Sequence, residues 1–343
     1  MKFDFCIGNP PYQEDVENKG DRPNPVYDKF MDNAFMIADV VELIHPARFL
    51  FNAGQTPKQW NQKMLQDEHF KVLHYEPDAT IIFPNTDIKG GVAITYRNAA
   101  IEYGAIEIFT SYPQLNGIVH KVAGKEGKSP RLDSIVASQG LYRFSDLFFE
   151  ENPNAPDAMG KGTGNKIVSN VMTKLTEIFL DEKPINGNYV RFLGRIKTQR
   201  VWKWIRRDYL AENRYIDCFN LLIPEANNSG KFGETLTEPS IANPGEGSSD
   251  TFLSAGCFST KQEPQNFARY MKTKFFRSLL GVKKVTQHCP PAVWKMIPLQ
   301  DFTPSSDIDW SAPIKAIDQQ LYRKYGLSDE EIAFIETHVK EMA

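Results

Sequence analysis

The sequence predicts an α/β chain that opens on a mostly parallel sheet and continues into a loop-rich α+β half. Short apolar runs, Phe3 to Gly8, Val40 to Ile44 and Lys71 to Tyr75, alternate with segments of helical spacing, the pattern of strands joined by helices. From about Gly104 that alternation stops and turns rich in Gly, Pro and Asn multiply. At 343 residues the chain exceeds what one hydrophobic core usually supports, so two domains are expected.

The first run, FDFCIG, reads as a buried strand ended by Gly8-Asn9-Pro10-Pro11, where proline cannot continue a ladder. Pro25 to Ala38 carries apolar residues at helical spacing and predicts an amphipathic helix. Val40 to Ile44 is a second strand, closed by His45-Pro46, and Pro57 to Asp67 a second helix. Lys71 to Tyr75, Ile81 to Phe83 and Val92 to Tyr96 follow as strands, the last after the turn Lys89-Gly90-Gly91, which suggests a mixed edge. Beyond them, Asn152 to Gly164 reads as a linker or exposed loop and Asn227 to Asp250 as a loop-rich segment. Phe267 to Leu280 predicts one amphipathic helix, and Ser328 to Met342 another, opened by a capping box of Ser328 and Glu331.

Composition narrows the class. Charged residues make up 24% of the chain and its net charge is -3, so the total does not announce a nucleic-acid binder. The four cysteines form no CxxC pair, which argues against structural zinc and against a disulfide framework and suits a reducing cytoplasm. No signal-type segment or membrane-length apolar run is present, so a soluble, cytoplasmic protein is expected.

The chemistry is concentrated in Asn9-Pro10-Pro11-Tyr12. The exocyclic amine of adenine is a poor nucleophile because its lone pair is delocalised into the ring. Two acceptors on that nitrogen, the Asn9 side-chain oxygen and the Pro10 carbonyl, would free the lone pair toward a methyl donor. Pro10 and Pro11 fix the backbone so that the acceptors are aimed in advance. Tyr12 offers a ring on which an extruded base can stack. The tetrad follows a strand, where ligand sites of parallel sheets lie.

Phe3 to Tyr12 resembles motif IV of the γ-class amino-methyltransferases, Val40 to Leu50 (VVELIHPARFL) the next strand of their catalytic domain, and Phe83 to Val92 (FPNTDIKGGV) their motif VIII. Lys283 to Tyr325 is similar to the recognition-domain tail of bifunctional, type IIG-like restriction-modification methylases. The resemblance implies a partial Rossmann-like methyltransferase sheet over residues 1–103, a connecting region over 104–165, and an α+β target-recognition domain over 166–343. It implies site-specific adenine-N6 methylation of double-stranded DNA, with S-adenosylmethionine as methyl donor and the target base flipped. Asn9 favours adenine over cytosine N4, whose enzymes more often carry Ser there. Phe83 matches the family's second base-stacking aromatic, and Lys89 is a candidate phosphate contact.

The family's glycine-rich motif I, which holds the cofactor, precedes motif IV. Neither Asp250 to Gly256 nor Gly160 to Gly164 supplies it, since the first lacks a glycine of the pattern and no strand precedes the second. The cofactor half is therefore expected outside this chain, in an upstream fragment or subunit. The competing expectation is a DNA-specificity subunit without catalysis. No acid-x-Lys nuclease constellation was found, and no metal site is expected.

Arg191 to Arg207 carries seven basic residues and no acid, with Trp202 and Trp204 interleaved, and Arg269 to Lys284 carries six more. In a chain of net charge -3 such clusters point to phosphate binding, through Arg191, Arg195, Lys197, Arg200, Lys272, Lys274, Arg277, Lys283 and Lys284. Trp202 and Trp204 alternate as on a strand, which favours a shared core over a base. His288 either contacts DNA or caps a turn.

Overall fold

The computed structural model describes residues 3–14, 23–86, 88, 90–123, 130–284 and 286–342. The chain divides into two units, Met1–His120 and Lys121–Ala343.

The first unit is built from β1 (Phe3–Gly8), α1 (Tyr27–Ile37), β2 (Ala38–Pro46), α2 (Lys58–Gln66), β3 (Phe70–Glu76) and β4 (Val92–Asn98). A further helix, α3 (Pro113–Ala123), spans the division. The sheet order is β1-β2-β4-β3. β1 runs parallel to β2, in register from Phe3 opposite Ala38 to Gly8 opposite Leu43. β4 is antiparallel to both its neighbours. The sheet is thus mixed where a mostly parallel one was expected, because β4 inserts between β2 and β3.

Alternate residues of β2, Val41 and Leu43, point into a core with Met31 and Ala34 of α1, Met64 of α2, and Phe49 and Phe70. Cys6 packs against the same core. The opposite face of β1 is bare: Phe3, Phe5 and Ile7 are 52%, 67% and 75% exposed. The expectation of a buried first strand is corrected, since β1 is an edge strand with one covered face.

Two further expectations in this unit change. Ile81 to Phe83 is not a strand; residues Ala79–Ile81 form a single tight turn, with the Asp78 carboxylate accepting from the Thr80 backbone N–H. That cap and Pro84 together break any extended run. Gly91 has φ +74, and a Cβ there would lie 2.2 Å from the Glu76 carbonyl oxygen. The turn into β4 therefore needs glycine at this position.

The second unit contains α4 (Asp146–Glu151), α5 (Ala155–Met159), α6 (Val171–Lys174), β5 (Tyr189–Ile196), β6 (Gln199–Arg206), β7 (Phe219–Pro224), β8 (Ser240–Ala242), β9 (Glu246–Ser248) and β10 (Phe252–Phe258). Four helices follow: α7 (Gln262–Lys272), α8 (Lys274–Lys283), α9 (Ile314–Lys324) and α10 (Asp329–His338). The strands form two three-stranded sheets, β6-β5-β9 and β10-β7-β8. Segment 152–164, expected as an exposed linker, holds α5, whose Ala155 and Met159 are buried in a core with Phe144, Phe148 and Phe192. The single helix expected over 267–280 is broken at Thr273, whose side chain caps α8 by accepting from the Phe276 N–H. Ser328 and Glu331 form the anticipated capping box.

The cysteine reading is corrected as well. Cys218 and Cys257, 39 residues apart, form a disulfide beside the β7–β10 pairing, which brings Phe219 opposite Phe258. Sequence separation gave no sign of this contact. Among the described residues no helix is long and apolar enough to cross a membrane.

The Gly91 contact yields a stability prediction. Gly91→Ala should cost roughly 2–4 kcal/mol, through the strained φ and the clash with backbone, measured as a shift in the urea midpoint. A change below about 0.5 kcal/mol, the range of an ordinary surface substitution, would show that the turn has room the geometry denies.

Candidate active site

Asn9-Pro10-Pro11-Tyr12 leaves the C-terminal end of β1 just beyond the last parallel pair, Gly8 with Leu43. It is then strapped to the approach of α1. The Tyr12 carbonyl accepts from the Val26 N–H at 3.1 Å, the Glu14 N–H donates to the Asn24 carbonyl at 2.9 Å, and Gln13 bridges Pro25. Strand pairing on one side and this strap on the other fix both ends of the proline pair. Asn9 is exposed and Pro10 half-buried. The Tyr12 hydroxyl oxygen is buried and closes no hydrogen bond of good geometry. Burial raises its pKa, with the Asn9 side chain opposing the rise.

Phe83 meets Tyr12 edge-to-face, ring centroids 6.4 Å apart at 69°. It is held by its N–H to the Ala79 carbonyl at 2.8 Å and by its own carbonyl to the Thr86 N–H at 3.1 Å. A base sandwiched between two rings needs about 7 Å between parallel planes, twice a stacking contact. The observed pair is therefore closed, and a base enters only if one ring swings. Lys89 and Asp87 lie outside the described residues.

Three residues that sequence reasoning did not single out support this end of the sheet. His45, fully buried at the end of β2, donates from Nδ1 to the Pro46 carbonyl (3.2 Å) while Nε2 accepts from the Thr95 hydroxyl (2.7 Å). It stacks on Tyr27, centroids 5.8 Å apart and planes 6° from parallel. Burial pulls its pKa down to about 4, the Pro46 bond opposing, so the ring is neutral at pH 7. Burial likewise pushes Tyr27 up to about 12. Arg48 follows β2, its stem packed under two glycines: a Cβ at Gly54 would come within 3.3 Å of it and one at Gly90 within 2.6 Å. The Ala47 N–H donates to the Gly91 carbonyl at 3.0 Å. His45-Pro46-Ala47-Arg48 and Gly90-Gly91 were visible as a strand stop and a turn; only the fold joins them.

A cavity of about 460 Å³ lies along β3, at the other edge of this sheet, lined by Phe70, Tyr75, Tyr103, Phe109, Asn116 and His120. The Asn9–Tyr12 loop does not line it.

The basic residues separate into two groups. Lys272 pairs with Glu238 at 2.8 Å and Lys274 with Glu336 at 2.6 Å. Arg277 is buried, donating to the Glu234 and Lys272 carbonyls. Lys284 is buried against Glu234 at 2.9 Å. Burial alone would raise the Glu234 carboxyl, but Lys284 and the N–H groups of Ser229 and Gly230 bring it down to about 2. These charges are spent inside the fold. Lys283 is half-buried on α8.

On the β5–β6 hairpin, Arg191 lies 3.6 Å from Glu246 and over the rings of Trp202 (4.9 Å) and Trp204 (5.9 Å). Trp202 packs against Leu193, Leu222, Ala242 and Phe252. Arg195 donates to the Lys197 carbonyl and Arg200 to the Glu238 carbonyl. Among the described residues no carboxylate pairs with Arg195, Lys197 or Arg200. His288 pairs with Glu225 at 2.9 Å.

The implied cofactor fits only in part. Among the described residues no glycine-rich loop joins a strand of this sheet to a helix. Residues 252–258 form β10, and Gly160, Gly162 and Gly164 follow α5. No group of three or more His, Cys, Asp or Glu among the described residues is arranged to hold a metal.

Residues 1–83 match the family described as Eco57I restriction-modification methylase. Over 138 residues the chain is 27% identical to an uncharacterized adenine-specific methylase of Mycoplasma pneumoniae (strain ATCC 29342 / M129 / Subtype 1), covering 39% of this chain and 30% of that protein. The chain therefore spans less than a third of that relative's length. The type IIG restriction endonuclease BpuSI aligns over 97% of this chain and 52% of its own, at 10% identity and a TM-score of 0.32, a likeness that carries no further argument. The N-terminal quarter of the chain is thus similar to restriction-modification methylases, and the curated relative is described as adenine-specific.

The buried neutral His45 makes stability pH-dependent. Its folded pKa of about 4 lies below the ordinary 6.5, so the unfolded chain binds the proton first. Its contribution is complete above pH 6.5 and falls by about 3 kcal/mol as pH drops to 4. Urea midpoints of wild type and His45→Gln should converge over that range; parallel pH profiles would contradict it.

Proposed function

We propose that this chain carries the target-base half of an adenine-N6 DNA methyltransferase of a restriction-modification system. The observation that supports this best is the exit of Asn9 and Pro10 from the C-terminal end of β1, next in the chain to the Tyr12–Phe83 ring pair. Asn9 Oδ1 and the Pro10 carbonyl each accept one N–H of the amine. The amine is thereby drawn toward tetrahedral geometry with its lone pair outward. Strand and strap hold the acceptors before substrate arrives, so little reorganisation is needed at the moment of reaction. Tyr12 and Phe83 swing from their edge-to-face contact to take the base flipped from the duplex. S-adenosylmethionine, when bound, would supply the electrophilic methyl group.

Double-stranded DNA is the partner this reading requires. Arg195, Lys197 and Arg200 on the β5–β6 hairpin, together with Arg191 stacked on Trp202, are the cations we assign to its phosphates. The partial cofactor fit favours one second reading, a subunit that binds DNA and presents the base without completing the transfer.

One assay separates the two. The protein purified from the organism that encodes it, with whatever it retains, should transfer labelled methyl to adenine N6 of duplex DNA, and Asn9→Ala should slow transfer about 10²–10³-fold. An unchanged rate would remove the loop from the chemistry. A companion measurement addresses the hairpin: Arg200→Ala should lower the slope of log affinity against log salt by about 0.9 if Arg200 meets a phosphate. An unchanged slope would remove it from the interface.

A further inference from the structure

The β5–β6 hairpin outruns its own sheet. β9 pairs with β5 only from Arg191 to Leu193, whereas β5 and β6 stay paired as far as Ile196 opposite Gln199. Beyond Leu193 the element is a two-stranded ribbon, closed by the turn Lys197-Thr198, and Arg195, Lys197, Thr198, Gln199 and Arg200 are all exposed. Three features of this tip work against its own stability. Arg195 stands directly opposite Arg200, and like charges at facing positions destabilise a strand pair; their hydrogen bonds go to the Lys197 and Glu238 carbonyls, which neutralise neither. Lys197 holds φ +55, a left-handed turn position that glycine or asparagine fills with less strain. The Gln199 amide, a donor and an acceptor at once, has no hydrogen-bond partner among the described residues.

We infer that the tip of this ribbon enters the major groove of duplex DNA and that Gln199 reads an adenine there, at a base pair other than the one whose base is flipped. The inference rests on the proposed function and turns its DNA contact into a choice of sequence. Size selects the groove. A ribbon whose strands lie about 4.8 Å apart, and whose side chains make it about 10 Å thick, fits a major groove about 12 Å wide and not a minor groove about 6 Å wide. Phosphates along the groove wall neutralise the facing guanidiniums of Arg195 and Arg200, which removes the repulsion between them. Chemistry selects the reader. Lys197 carries donors alone and the Thr198 hydroxyl suits more than one base, so neither picks out a pair. An amide that donates to N7 and accepts from N6 matches adenine, and only the major groove displays those two atoms together.

The test uses the full chain purified from the organism that encodes it, with whatever it retains, as wild type, Gln199→Ala and Arg195→Ala. Each protein is mixed with duplexes of randomised sequence, and the bound fraction is sequenced. Wild type should enrich a sequence holding one adenine that Gln199→Ala no longer prefers, its discrimination there falling roughly 5- to 150-fold while other positions keep theirs. Arg195→Ala should instead weaken all duplexes alike. Replacing that adenine by 7-deazaadenine, which lacks the N7 acceptor, should weaken wild type about five-fold and leave Gln199→Ala unchanged. Three results would overturn the proposal: a wild type that prefers no sequence, a Gln199→Ala protein that keeps every preference, or one that loses affinity uniformly as Arg195→Ala does. If Gln199→Ala does not fold, wild type alone decides, since indifference to 7-deazaadenine at every adenine of the enriched sequence refutes the reading. Selective binding relaxed by Gln199→Ala, in a preparation that methylates no adenine, would sink the proposed function and leave the reader standing. Adenine methylation whose sequence preference survives Gln199→Ala would do the reverse.

Discussion

The parallel pairing of β1 with β2 is the constraint on which the candidate site depends. It carries Gly8 to Leu43 at the end of the sheet, where two prolines forbid another ladder bond and force the chain outward. Asn9, Pro10 and Tyr12 then lie within four residues of that exit. The strap between Gln13 and Pro25 returns the chain to α1, so the loop is held from both sides. Beneath it, neutral His45 joins the end of β2 to Thr95 of β4 and to the Tyr27 ring. Protonation there would place a charge in the core of the same sheet, so this end of the sheet depends on a buried, uncharged imidazole.

The second unit follows a different economy of charge. Its basic segments look unopposed in sequence, yet Glu234, Glu238 and Glu336 reach Lys284, Lys272 and Lys274 from elsewhere in the chain. Lys274–Glu336 ties α8 to α10, and removing one partner of the buried Lys284–Glu234 pair would strand a charge. On the β5–β6 hairpin Arg191, Lys203 and Arg206 likewise meet Glu246, Asp181, and Glu151 with Asp208, whereas Arg195 and Arg200 donate to backbone carbonyls. Carbonyl bonds and ring contacts orient a guanidinium without neutralising it, which leaves its charge available to an anion.

Local patterns were legible where local physics decides. The helices α1 and α2, the strand positions of β2, β3 and β4, and the Ser328–Glu331 capping box follow from spacing and cap chemistry. What could not be read depends on residues distant in the chain. An apolar run such as Phe3 to Gly8 says "strand" but not how many faces are covered, so its exposure emerged only with the sheet order. Thr273 divides one apolar stripe into two helices because its hydroxyl caps the second, a competition that periodicity does not register. The Cys218–Cys257 bond and the acids that neutralise α7 and α8 likewise come from tertiary neighbours. At the site, Asn9 to Tyr12 stood out by residue type, whereas Arg48 under Gly54 and Gly90 looked like an ordinary charged residue after a strand.

The central claim is that Asn9 and Pro10 receive an adenine amine at the end of β1. A crystal structure of the protein with a short adenine-bearing oligonucleotide tests it most directly. The account predicts N6 within about 3 Å of both Asn9 Oδ1 and the Pro10 carbonyl oxygen, with the base against Tyr12 and the Phe83 ring turned from its edge-to-face position. A base seated elsewhere, or one that turns N6 away from both acceptors, would contradict it.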